Sequence, residues 1–287
     1  MWVLFAFASA LFAGLTAVLA KAGVRDVDAN LATALRTVVV LAFSWLMVAV
    51  EGVWRPLGSI SAQALLFLAL SGLATGASWL AYFHALQLGE VSRVAAVDKC
   101  STMLTMLLAF LLLGEALTLF KALAILLIGS GTVLMLQRKT PAAQGATGIG
   151  RWFWYALASA VFAALTTILG KIGIGGVDST LGTALRTTVV LAMAWGMVFV
   201  TRTQRGIRKI GWRAWLFLVL SGIATGCSWL CYYRALQDGP ASAVTPIDKL
   251  SILVTAAFSR LFLGEKLSPC ALLGLGLLTG GALMTLL

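Results

Sequence analysis

The chain has 287 residues, 61% of them hydrophobic and 11% charged, with a mean hydropathy of +0.99. Soluble domains are about a quarter charged, so a freely soluble protein is excluded and the chain reads as an integral membrane protein. Its formal charge of +11 sits mostly in short connections between apolar runs, where basic residues set topology and do not form a nucleic-acid surface.

Crossing about 30 Å of hydrocarbon takes roughly 20 helical residues. Runs near that length lie at 2–20, 30–50, 62–83, 94–113 and 121–137. The first, "MWVLFAFASALFAGLTAVLAK", lacks a basic leading segment and is followed by many more, so it reads as a span and not as a cleaved signal. In the second, Asp28 suits a helix N-cap and Arg36 follows eight residues later. At 1.5 Å per residue, Arg36 lies about 12 Å in, near the mid-plane. The third carries Ser71, Gly72, Thr75 and Gly76, a face suited to close helix packing, and then Trp79 and Tyr82. These two aromatics either line a cavity or belong to the interfacial belt. The fourth contains Asp98 and Lys99 and closes with "LGE" at 113–115.

After "RKTPAAQGATGIG" at 138–150, the pattern recurs at 152–170, 180–200, 214–233, 245–263 and 269–287. The offset is a constant 150. "SGLATGASWLAYFHALQLG" (71–89) and "SGIATGCSWLCYYRALQDG" (221–239) share 13 of 19 residues without a gap. "TALRT" at 33–37 answers 183–187, so Arg36 answers Arg186. Asp98 and Lys99 answer Asp248 and Lys249; Trp79 and Tyr82 answer Trp229 and Tyr232. This is an internal duplication, with repeats at 1–137 and 151–287 and a linker at 138–150. Five spans per unit is odd, so the second copy is expected upside-down. The predicted fold is all-α: a polytopic membrane protein of ten transmembrane helices in two inverted five-helix repeats.

One face of that topology collects thirteen basic residues, while the other carries Arg55, Lys121, Lys171 and Arg234. The positive-inside rule makes the richer face cytoplasmic and both termini external. Four bases remain within the spans: Arg36, Lys99, Arg186 and Lys249. A charge at mid-membrane costs about 2.5–3.5 kcal/mol even on insertion scales, so each is expected to face a wet cavity, pair with an acid or bind a ligand. Arg36 and Arg186 either hold substrate or pair with Asp98 and Asp248. Pro246 suggests that a helix begins there, which would make Asp248 a first-turn acid suited to the helix dipole; a role in coupling is the alternative. A lysine beside a helix N-terminus has no such structural reason, so Lys99 and Lys249 either neutralise an aspartate or hold an anionic substrate. Gly114-Glu115 and Gly264-Glu265 read as a helix stop with an acid opening the next helix.

The lone His84 is answered by Arg234, which argues against an enzyme. Cys100, Cys227, Cys231 and Cys270 show neither metal nor disulfide spacing, and no metal or cofactor is expected.

Two five-helix copies, each with "LGE" closing its fourth helix, resemble the EamA branch of the drug/metabolite transporter superfamily along the whole chain. The "SGxATGxSWLxYxxALQ" and "DKxS" patterns resemble short bacterial members made of one five-helix unit, of which this chain looks like a fused duplicate. The resemblance implies a secondary transporter of small metabolites, most often an exporter. Its cavity would lie between the halves, and it would work as a monomer, an internal pseudo-dimer, in the inner (plasma) membrane among lipids. The charges narrow the expected substrate to a small anionic or zwitterionic solute, amino-acid-like or amphipathic. The superfamily usually keeps its N-terminus inside, against the charge count here. The rival readings are a flippase for a phosphorylated lipid headgroup and a non-transporting scaffold or accessory subunit.

Overall fold

The computed structural model describes residues 1–23, 27–54, 58–89, 94, 97–136, 150–263 and 268–287, and among them there is helix and no strand. In the first half run α1 (Trp2–Gly23), α2 (Ala29–Glu51), α3 (Ala62–Leu88), α4 (Ser101–Leu113) and α5 (Leu119–Leu136). In the second run α6 (Arg151–Gly173), α7 (Ser179–Val200), α8 (Trp212–Asp238), α9 (Ala241–Asp248), α10 (Ser251–Leu263) and α11 (Pro269–Met284). A 3-10 helix, Thr203–Lys209, joins α7 to α8.

Seven described stretches are long and apolar enough to cross a membrane: α1, α2, α3, α6, α7, α8 and the run Ala241–Phe258. Leu119–Leu134 and Pro269–Met284 are apolar but shorter, and α4 has 13 residues. The ten expected spans are therefore matched in length by seven. Most of the expected linker at 138–150, namely 138–149, lies outside the described residues.

Local chemistry explains where the helices begin and end. The Asp28 carboxylate accepts from the N–H groups of Asn30 and Leu31 at 3.0 and 3.1 Å, so it caps α2 as expected. Asp178 does the same for α7, accepting from Thr180 and Leu181 at 2.8 and 3.4 Å. These bonds satisfy N–H groups that a helix start leaves without partners. Gly114 ends α4 with φ +66°, the left-handed geometry that favours glycine.

The expectation that a helix starts near Pro246 is overturned. Helix α9 starts at Ala241, and Pro246 is inside it. Proline removes the bond to the Ser242 carbonyl and crowds it, and the helix ends two residues later. Asp248 is thus the last residue of α9 and not a first-turn acid, and Lys249 is its C-cap. A cation at a helix C-terminus complements the dipole, which gives the lysine the structural reason that the sequence reading denied it.

Packing runs mainly between the halves. Helix α1 lies along α8, and α3 lies along α6, the same pair exchanged by the 150-residue offset; α2 meets α7, and α5 meets α11. Small residues also bring α3 close to α7 and α8 close to α2. A Cβ on Gly72 would sit 2.7 Å from Val189 Cβ, and one on Gly222 would sit 2.6 Å from Val39 Cβ. Those two contacts are again equivalent under the offset. Buried Ala6, Ala10, Ala235, Ala241 and Val244 cluster where α1, α8 and α9 meet.

Candidate functional site

Where the halves face each other they enclose a cavity of about 240 Å³. The first half contributes Thr75, Trp79, Ser101 and Thr105 to its wall; the second contributes Thr166, Thr167, Arg186, Trp229, Tyr232, Tyr233, Thr245, Asp248 and Lys249. Six residues singled out from the sequence therefore meet here: Trp79, Arg186, Trp229, Tyr232, Asp248 and Lys249. A second crevice of about 200 Å³ is lined by Lys99 and Lys249, and both spaces share Ala13 and Lys249. Arg36, Tyr82 and Asp98 line neither.

Arg186 is 2% exposed and held from four sides. Its Nε donates to Ser71 Oγ at 3.3 Å and an Nη donates to Thr75 Oγ1 at 2.8 Å. Its guanidinium lies 4.6 Å from the Tyr233 ring centre and 5.2 Å from that of Trp229. Cation–π contacts of this kind contribute about 0.5–2 kcal/mol each. Two of the five guanidinium donors are used by the hydroxyls, which leaves others for an anionic group. Arg36 is different. It is half-buried and, among the described residues, makes no hydrogen bond or ion pair. Of the hydroxyls equivalent to the Arg186 partners, Ser221 donates to the Leu218 carbonyl where Ser71 donates to that of Thr166, while Thr225 meets Thr16 just as Thr75 meets Thr166.

Among the described residues neither arginine pairs with an aspartate; both aspartates are held by serines. Ser9 Oγ donates to Asp248 at 2.6 Å and lies 3.3 Å from Ser228 Oγ, while Ser228 donates to the Ser9 carbonyl. The twin set has the same form. Ser159 Oγ donates to Asp98 at 2.8 Å, lies 3.2 Å from Ser78 Oγ, and its carbonyl accepts from Ser78. Each aspartate is thus tied to the first helix of the opposite half. Sequence reasoning missed these serines, although "ASA" at 8–10 and 158–160 stands at the same offset of 150.

Tyr232 is anchored by Thr167 at 3.0 Å and Thr245 at 3.1 Å. For Tyr82 the equivalent positions in the sequence are Ala17 and Ala95, which carry no hydroxyl. It packs instead with Ala85, Val94 and Ala156. His84 stacks edge-on with Tyr155, ring centres 4.4 Å apart.

Glu115 lies in the turn after α4 and reaches across to the other half, where the sequence reading had it opening the next helix. Its carboxylate accepts from the N–H groups of Ala241 at 2.6 Å and Ser242 at 3.0 Å, and from the Ser242 hydroxyl. Lys171 Nζ sits 3.5 Å away and also donates to the Gly239 carbonyl. Burial pushes the Glu115 carboxyl up, but the hydrogen bonds from Ser242 and Ala241 and the charge of Lys171 outweigh it, holding the group below its ordinary value. The equivalent residues, Glu265 and 91–92, lie outside the described residues. Since Glu115 binds the first turn of α9 and Asp248 and Lys249 stand at its other end, this clamp helps to set the cavity wall.

The sequence profile of the EamA-like transporter family matches residues 1–137 and again 150–287. The chain belongs to this family. It is a multi-pass membrane protein of a transporter family, and the family speaks for a transporter and not an enzyme. A curated relative, the "Uncharacterized transporter in cobO 3'region" of Sinorhizobium sp, is 48% identical over 133 residues, 46% of this chain and 94% of the relative. One half of this EamA-like chain thus corresponds to nearly all of that protein. A solved structure titled "Crystal structure of protein" superposes with a TM-score of 0.79 at 20% identity, covering 99% of this chain and 96% of the other. At that identity the likeness concerns the fold alone.

Proposed function

We propose that the protein is a secondary transporter that moves a small anionic or zwitterionic metabolite, amino-acid-like or amphipathic, by alternating access. Export is its proposed direction and the cell's inner membrane its proposed site, where it works as a monomer. On this reading the chain crosses the bilayer ten times as two inverted repeats, 1–137 and 151–287, joined by 138–150. The exchanged helix pairs, α1 with α8 and α3 with α6, support that arrangement.

The observation that carries the reading is the cavity built from both halves, with Arg186, Asp248 and Lys249 set among Trp79, Trp229 and Tyr232. Unused guanidinium donors suit a carboxylate, Asp248 suits an ammonium, and the aromatic rings suit an apolar body. The difference between caged Arg186 and Arg36, whose side chain has no hydrogen-bond or ion-pair partner among the described residues, supports two alternating states, in which the halves exchange roles.

Counterflow in proteoliposomes loaded with mixtures of amino acids and organic acids tests it. Wild-type protein should exchange at least one of these solutes, and Arg186→Gln should lose most of that exchange while still folding and inserting. Normal exchange by Arg186→Gln, with folding intact, would remove the arginine from the site. No exchange of any solute class by the wild type would sink the transport reading.

A further inference from the structure

Lys99 precedes α4 by two residues, and Lys249 stands between α9 and α10; both ammonium groups belong to the same small crevice. Its other polar lining comes from Thr102, Thr132, Ser251 and Thr255, and its apolar wall includes Ile128 and Leu278. The titratable groups around it are the two lysines, Asp98 and Asp248. Ser159 and Ser9 occupy one oxygen of each aspartate, and among the described residues neither lysine's ammonium group forms an ion pair or a hydrogen bond. Two like charges thus share a space of about 200 Å³, Lys99 exposed and Lys249 half-buried, with hydroxyls around them and with Asp98 and Asp248 near enough to attract Lys99 without forming an ion pair with it among the described residues. Such a pair is repulsive when empty and is relieved by a ligand that brings two negative charges between them.

We propose that this crevice is a subsite for a compact oxyanion group carrying two negative charges, bridged by Lys99 and Lys249 together. A phosphate monoester and a closely spaced pair of carboxylates share that chemistry. The inference rests on the transport reading, because the crevice adjoins the central cavity at Ala13 and Lys249. The dianionic head sits between the lysines, and the rest of the ligand extends toward Trp79, Trp229 and Tyr232. Lys249 borders both spaces and so contacts head and body alike. The substrate class becomes a small dianion with an apolar or aromatic body.

The test uses the full chain in detergent, with thermal unfolding followed at constant ionic strength. The probes are glycerol phosphate, inorganic phosphate and succinate, with acetate and chloride as singly charged controls. A doubly charged probe should raise the melting temperature saturably, and the controls should not. Lys99→Gln and Lys249→Gln should each weaken that binding about tenfold or more, whereas Lys99→Arg and Lys249→Arg, which keep the charge, should retain it. A parallel arm in nanodiscs with and without phosphatidic acid separates the sources: lysine-dependent stabilisation by that lipid alone assigns the head to a lipid, and stabilisation by glycerol phosphate assigns it to a soluble ligand. The subsite is overturned if no probe binds in either arm, or if binding survives in the Lys99→Gln/Lys249→Gln double variant. Loss of the subsite with Arg186-dependent counterflow intact would leave the transport reading standing, so the two failures can be told apart.

Discussion

Removing the carboxylate of Glu115 tests whether the two halves are latched at the start of α9. In Glu115→Gln, one side-chain oxygen still accepts a hydrogen bond, but the amide group presents a donor to a donor, and the attraction to Lys171 is lost. The native carboxylate takes three hydrogen bonds, from Ala241, Ser242 and the Ser242 hydroxyl. Hydrogen bonds to a charged group contribute about 1.5–3 kcal/mol each; with the amide oxygen in the place of Oε2, the two from Ser242 survive in weaker form and the one from Ala241 is lost. The ion pair is largely buried, its partners 22% and 11% exposed at 3.5 Å, so its attraction is mostly offset by the cost of desolvating the two charges. A net loss of about 2 kcal/mol is reasonable, equivalent to a roughly 30-fold shift toward the unlatched form. The assay is hydrogen–deuterium exchange of residues 240–248, whose first amides are the ones that Glu115 holds. Exchange there should quicken by about that factor in Glu115→Gln and further in Glu115→Ala, with α5 and α11 unchanged. Equal exchange in wild type and variant would mean that the contact contributes nothing and that α9 is held by its apolar packing alone. The pH dependence has a definite sign. The folded carboxyl lies below its ordinary value of 4.5, so its stabilisation is complete above that value and fades as pH falls through the lower, folded one. The stability gap between wild type and Glu115→Gln should accordingly close on acidification, and a gap that widens would refute the assignment.

Gly222→Ala places a Cβ 2.6 Å from Val39 Cβ, whereas Gly276→Ala meets nothing within 4 Å; the first should lower stability in detergent by about 1–3 kcal/mol and the second hardly at all. Ser9→Ala removes the hydroxyl that Asp248 accepts from, and a melting temperature lowered by the equivalent of about 1–3 kcal/mol is expected; an unchanged value would make that contact inconsequential. A reporter fused after Leu287 should be active only outside the cytoplasm if the basic loops face inward, and cytoplasmic activity would reverse the orientation. Single cysteines at 99 and 249, in a chain without its four native cysteines, should each react with a charged thiol reagent from one face only, and from the same face, because both positions line one crevice. Reaction from opposite faces would show that they do not share that space.

The helical, membrane-spanning character was legible because the bilayer imposes long apolar runs, and the duplication because it preserved a constant offset. Boundaries were less legible where one residue has two structural uses. Pro246 suits a first turn as well as a short helix about to end, and only the contact of Ala241 and Ser242 with Glu115 decides between them. The aromatic reading used the spacing i and i+3, which found Trp229 and Tyr232 but passed over Tyr233, the residue at i+4 whose ring faces Arg186. Ser9 and Ser159 were hidden for another reason. A serine between alanines in an apolar helix looks like a packing residue until the acid it serves is seen on the opposite half. Glu115 escaped in the same way, because its partners lie 126 and 127 residues further along the chain.

Fusion of two copies matters to the site for a symmetry reason. A two-fold assembly of identical half-length chains must place the same residue at both equivalent positions. In this chain Thr167 and Thr245 stand opposite Ala17 and Ala95, and Tyr233 stands opposite Phe83. Those differences fall on the residues that anchor Tyr232 and cage Arg186. The parts shared by both halves, Asp98 with Ser159 and Asp248 with Ser9, keep their geometry in each copy. The acid–serine ties across the interface are thus common to both copies, while one half has hydroxyls that its twin lacks. A single-unit transporter could not build the Tyr232 anchor on one side without building it on both. Introducing Ala17→Thr together with Ala95→Thr would place threonine at the positions equivalent to Thr167 and Thr245. If the anchor selects between states, that double variant should bring the reactivities of cysteines at 99 and 249 closer together, and unchanged reactivities would show that the threonines serve Tyr232 locally and do not bias the exchange.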